Sequence, residues 1–136
     1  ISLFIKHPFM DPDEITDQLD LEPFRCWRQG EPRSTPNGKP LPGINPDTYW
    51  NHAFWFRGER LFFRQLQILI NNLEPHKDFF NRITSEGGRI SLNVQLAGDE
   101  NIGDVLDWKV MGKLAELKIS VSIEVFPCFP EDNCPA

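Results

Sequence analysis

Residues 90–96 read Ile-Ser-Leu-Asn-Val-Gln-Leu, apolar and polar in strict turn. Successive strand side chains point to opposite faces, so this stretch predicts a strand with one dry and one wet face. Residues 119–125 repeat the pattern, with Ile119, Val121, Ile123 and Val125 set against Ser120, Ser122 and Glu124. A sheet wetted on one side carries its helices on the other. The expected fold is therefore α+β: a two-layer sandwich whose mainly antiparallel open sheet has helices on one face, related to the ferredoxin-like plan. A doubly wound sheet, the second choice, would want more continuous apolar strands.

Working outward, Ile1, Leu3 and Ile5 alternate with Ser2, Phe4 and Lys6 and predict an earlier strand. Asp11-Pro12-Asp13-Glu14 then has the grammar of a helix start. Asp11 can cap free amides, Pro12 suits the first helical position, and Glu14 completes a capping box. Ile15 and Leu19 give this helix its apolar face, and Glu22-Pro23 is the expected stop. Residues 31–49 contain Pro32, Pro36, Pro40, Pro42 and Pro46 with Gly38 and Gly43, which predicts a long loop without helix or strand period. Residues 50–57 alternate and predict a second strand with both faces covered.

Leu61, Phe62, Leu66, Leu69, Ile70 and Leu73 recur at helical spacing, and Pro75 can open a further helix bearing Phe79, Phe80 and Ile83. Gly87-Gly88 closes it. Val110, Met111, Leu114 and Leu117 mark a last helix face before the final strand.

With 136 residues, the chain suits a single domain, 1–136, containing the 31–49 loop and a 127–136 tail. Its net charge of −6 argues against a broad nucleic-acid face, even with Arg57, Arg60 and Arg64 near one helix start. No apolar run is long enough to span a bilayer. Cys26, Cys128 and Cys134, odd in number and widely spaced, suit free thiols in a reducing cytoplasm, although the last two could pair if the tail folds back. The start at Ile1, within an alternating pattern, reads as a trimmed N-terminus.

The most suggestive segment is Phe24-Arg25-Cys26-Trp27-Arg28, followed by Arg33 and then Tyr49-Trp50. Guanidinium groups grip carboxylate or phosphate bidentately, and rings supply contact area at low entropy cost. Arg25, Trp27, Arg28, Arg33, Tyr49 and Trp50 are thus the candidate ligand-binding residues. The competing reading buries Trp27 and Trp50 in the core and pairs the arginines with local acids. A thiolate nucleophile from Cys26 with His52 as base lacks an orienting third residue. His7, His52 and His76 are scattered, so neither a metal site nor a cofactor is expected.

The run Asp11 to Pro23, then Trp27, Gly30 and Trp50, resembles a bacterial family, domain of unknown function 4279. The Leu73-Glu74-Pro75 helix end, the Gly87-Gly88 turn and the closing LAELKISVSIEVF are similar to it too. The resemblance covers nearly the whole chain and implies a small bacterial protein with no catalytic residue to carry over. The segment Glu31 to Tyr49 is long for the pattern.

The functional expectation is a non-enzymatic protein-interaction module of the cytoplasm, immunity-like, whose acidity favours a basic partner protein. The alternative is a small anionic ligand held in the Arg25, Trp27, Arg28 and Trp50 region. Neither nucleic acid nor membrane is an expected partner.

Overall fold

The computed structural model describes residues 1–56, 61–97 and 101–126. Arg57, Arg60, Cys128, Cys134 and the 127–136 tail lie outside the described residues.

Strand β1 (Ser2–His7) buries Leu3, Ile5 and His7 and turns Ser2, Phe4 and Lys6 the other way. Helix α1 (Pro12–Leu19) starts as expected, with the Asp11 carboxylate accepting from the Asp13 amide at 3.0 Å. Its end comes earlier than Pro23, because Asp20 takes a left-handed conformation at φ +52°. Glu14 does not close a capping box; its carboxylate pairs with Arg82 instead.

Three short strands follow: β2 (Arg25–Trp27), β3 (Pro32–Ser34) and β4 (Pro40–Ile44). The expectation of a structureless 31–49 loop is corrected here, since β3 and β4 form an antiparallel hairpin. Prolines are tolerated because this two-stranded ribbon is all edge, where a missing N–H leaves no ladder bond broken. Gly38 and Gly43, at φ +81° and +88°, supply the backbone turns that other residues resist. The next strand, β5 (Thr48–Ala53), likewise starts and stops earlier than the 50–57 reading.

Helix α2 (Phe62–Leu73) joins α3 (Lys77–Ser85) through a single 3₁₀ turn at Glu74–His76. Strand β6 (Arg89–Ala97), helix α4 (Trp108–Glu116) and strand β7 (Ile119–Phe126) complete the chain. The five-stranded sheet runs β2-β5-β1-β6-β7. Among the described residues only β6 and β7 pair in parallel, which requires a crossover, and α4 lies between them in the chain. This is the α+β arrangement anticipated from the alternating strands.

The core joins Leu3, Ile5, Trp50, Ile90 and Leu92 from the sheet to Ile15, Leu66, Ile70, Phe80, Ile83 and Leu114 from the helices. The last strand departs from expectation. Ile119 is buried, but Ile123 and Val125 are exposed, because the strand outruns the helical layer. Met111, expected on the buried face of α4, is half exposed as well.

One junction ties these layers together. At the end of β1, His7 Nδ1 accepts from the amides of Met10 at 2.9 Å and Phe9 at 3.2 Å. Its Nε2 faces the Glu86 carboxylate at 3.1 Å. Glu86 also takes the Arg82 guanidinium at 3.1 Å, and Arg82 reaches Glu14 on α1. Gly88 closes the joint: a Cβ there would lie 2.6 Å from Ile83 Cγ2 and 2.8 Å from both His7 Cδ2 and the Ile83 carbonyl oxygen.

Two outcomes are expected. Gly88→Ala should destabilise by about 1–3 kcal/mol, since backbone cannot yield as a side-chain tip can, and a denaturant melt measures it. Burial holds the His7 pKa below its ordinary value, against the pull of Glu86. The native state thus binds fewer protons than the unfolded chain. The contribution of His7 to stability is full above about pH 6.5 and is lost as pH falls below it. His7→Asn, which offers an acceptor but no titration, should flatten the drop in melting temperature between pH 7 and 5; an unchanged slope would refute this assignment.

Candidate functional site

Among the described residues, the four helices contribute to the core on one side of the sheet, and the alternate residues of each strand meet no helix. Register sets those residues in straight rows. The first row crosses four strands as Trp27, Tyr49, Lys6 and Arg89. The second runs Arg25, Asn51, Phe4, Ser91 and Ser120. The third holds Ala53, Ser2, Asn93 and Ser122, and beyond it Gln95 donates to Glu124 at 3.3 Å.

The rings form a platform at one side. Trp27 and Tyr49 stack at 4.2 Å between centroids, and Phe4 lies 6.0 Å from Tyr49. The Arg25 guanidinium carbon sits 5.3 Å from the Trp27 ring, a cation–π distance. Burial pushes the Tyr49 phenol above its ordinary value, partly offset by Arg25, so at neutral pH it is a neutral hydroxyl.

Charge accumulates beside the platform. Lys6 and Arg89 are directly opposite each other across β1 and β6. Like charges so placed repel. Among the described residues neither has a carboxylate within 4.0 Å. Both line a hollow of about 430 Å³ that also touches Phe4, Tyr49, Asn93 and Glu124. The β3–β4 hairpin brings Arg33 and Ile44 into an adjoining hollow with Lys6 and Trp27.

Two polar groups on this face are buried without partners. Asn51 and Asn93 are each only 7% exposed, and the side-chain carbonyl oxygen of each accepts no hydrogen bond. A buried acceptor left unmet carries the full cost of its lost hydration.

Of the residues singled out in the sequence, Arg25, Trp27, Arg33 and Tyr49 meet around this face. Arg28 and Trp50 do not, and both assignments are corrected. Trp50 is fully buried on the helical side and donates from Nε1 to Thr16 Oγ1 at 3.0 Å. Arg28 turns to the start of α1 and holds Asp11 at 2.8 Å. Phe4, Lys6, Arg89, Asn93 and Glu124 were missed, although all occupy the polar phase of an alternating strand.

No hydrogen bond among the described residues joins Cys26 to His52, whose Nδ1 contacts the Glu22 carbonyl at 2.6 Å. Burial and the charges of Asp13 and Glu31 push the Cys26 thiol up, against the pull of Arg28. Among the described residues no cluster of histidine, cysteine and acid could hold a metal ion, and no helix is long and apolar enough to cross a membrane.

The fold and this exposed face define an α+β protein with a helix-free, ring- and cation-bearing sheet surface. Residues 1–126 match the model of the family described as Domain of unknown function (DUF4279), and the chain belongs to that family. No curated protein and no solved structure matches it.

The raised thiol gives a direct check. Cys26 should react with iodoacetamide several-fold more slowly at pH 7 than an unperturbed thiol of pKa about 8.5. The rate, followed by peptide mapping, should climb steeply above pH 8. Fast modification at pH 7 would contradict the protonated state.

Proposed function

We propose that the chain is a non-enzymatic binding module, and that its helix-free sheet face receives a ligand bearing an anionic group. The observation that carries this reading is the Lys6–Arg89 pair: two like charges opposite each other, neither with a carboxylate within 4.0 Å among the described residues, although Asp47 lines a neighbouring hollow with both. An anion seated between them would relieve their repulsion and gain charge-assisted hydrogen bonds. Phe4 and Tyr49 border the same hollow and supply an apolar wall for the rest of the ligand.

The reading moves the anion site suggested by sequence away from Arg28 and Trp50 and onto β1 and β6. It also changes the sign of the expected partner. Net charge alone favoured a basic protein partner, but the face in question is locally cationic, and a ligand responds to the local field.

The test is a titration at low salt, where exposed charges are least screened. Benzoate, citrate and inorganic phosphate, added to isotope-labelled protein, should include at least one that saturably shifts the amides of Lys6, Tyr49 and Arg89. Arg89→Gln should weaken that binding at least tenfold, and Trp108→Ala, on the helical side, should leave it unchanged. Saturation elsewhere on the molecule, or none with any of the three, would overturn the proposal.

A further inference from the structure

The 430 Å³ hollow has an order of chemistry along its length. Lys6 and Arg89 stand at one end, Ser91 and Ser120 come next, then Asn93 and Ser122, and Glu124 stands at the other end. We infer that this groove takes a short peptide in extended form, its C-terminal carboxylate at Lys6 and Arg89 and its N-terminal amine toward Glu124. The inference rests on the anion-binding reading and specifies the remainder of the ligand.

Three observations carry it. The first is charge complementarity. A ligand with anions at both ends would meet Glu124 with the wrong sign, and one with a single anion would leave Glu124 with its neutral Gln95 partner and no counter-charge. A molecule with opposite charges at its two ends satisfies both.

The second is length. Arg89 and Asn93 are four residues apart on β6, or about 13 Å at roughly 3.3 Å per residue, and Glu124 lies one row further. A free amino acid is too short to reach both ends. An extended peptide of about four to six residues has the same rise per residue as the strands beneath it.

The third is the unmet acceptor. Asn93 is buried, lines the groove, and has a side-chain carbonyl oxygen with no partner. That oxygen is covered, so a peptide N–H meets it only when the Asn93 side chain turns toward the groove. The hydroxyls of Ser91, Ser120 and Ser122 can donate or accept, so they tolerate either peptide group. Side chains on the peptide's other phase would rest against Phe4 and Tyr49, which gives a place for an apolar residue near the carboxylate end.

The experiment uses a pentapeptide pool with alanine at both ends and all residues at the three central positions. It is compared with the same pool amidated at the C-terminus and with the pool acetylated at the N-terminus. The free pool should saturably shift the amides of Arg89, Ser91, Asn93 and Ser122. Amidation should weaken binding at least tenfold, and acetylation several-fold. Glu124→Gln, an exposed change at the sheet's edge, should abolish the penalty for acetylation while leaving that for amidation. If benzoate, citrate or phosphate binds at Lys6 and Arg89 but the peptides do not, or if the amidated pool binds equally well, the peptide assignment is wrong and the anion-binding reading stands. If neither peptides nor anions bind there, both fall.

Discussion

Strand β1 is hydrogen-bonded along both edges, to β5 on one side and β6 on the other, and its phase is decided by burial. Leu3, Ile5 and His7 lie under the helices, so Phe4 and Lys6 have no choice but the opposite face. A shift of one residue would exchange the two sets and expose the core. The neighbours inherit this phase through register: Trp50 is forced inward and Tyr49 outward, Ile90 inward and Arg89 outward. The same hydrophobic constraint that builds the core therefore aligns the rings and cations into rows. The candidate site is the complement of the core.

His7 protects that phase at the strand's end. A histidine with Nδ1 accepting two amides and Nε2 facing a carboxylate is fixed in tautomer and orientation. It couples β1 to the loop before α1 and, through Glu86 and Arg82, to α3 and α1. Gly88 leaves space for the ring that any Cβ at that position would take. Thr48, its register partner on β5, is equally committed: its hydroxyl donates to the Met10 carbonyl at 2.7 Å and accepts from the Gln29 amide at 3.1 Å. Two of the buried polar residues, His7 and Thr48, thus meet where three elements join.

Much of this was legible before any coordinates, for reasons that can be named. β1, β6 and the start of β7 announce themselves because one face is dry and the other wet, and α1 because Asp11 and Pro12 satisfy a helix start locally. The β3–β4 hairpin was not legible. Its residues are exposed throughout, so no burial pattern marks it, and its prolines imitate a loop. β2 is three residues long, too short for any period, and exists because β5 offers it an edge. The exposed end of β7 shows the converse limit: alternation predicts a dry face, but only the length of the helical layer decides how far along the strand that face stays covered.

The site was half visible for a related reason. Sequence reading rewards residues that cluster along the chain: of its candidates, Arg25, Trp27, Arg33 and Tyr49 lie around the candidate face, whereas Arg28 and Trp50 point elsewhere. Lys6 and Arg89 are 83 positions apart and become neighbours only through antiparallel pairing. Net charge misleads in the same way. With 20 acidic and 14 basic residues the protein is acidic as a whole, yet several of its cations are held at Lys6, Arg25, Arg33 and Arg89 on or beside one face. Over distances beyond about 8–10 Å in physiological salt the distant acids are screened, whereas Lys6 and Arg89 stand opposite each other in register, with Asp47 in a neighbouring hollow. The field at the sheet therefore reflects these nearby groups more than the total charge. The local charge of this face is set by register, which no sum over its composition can reveal.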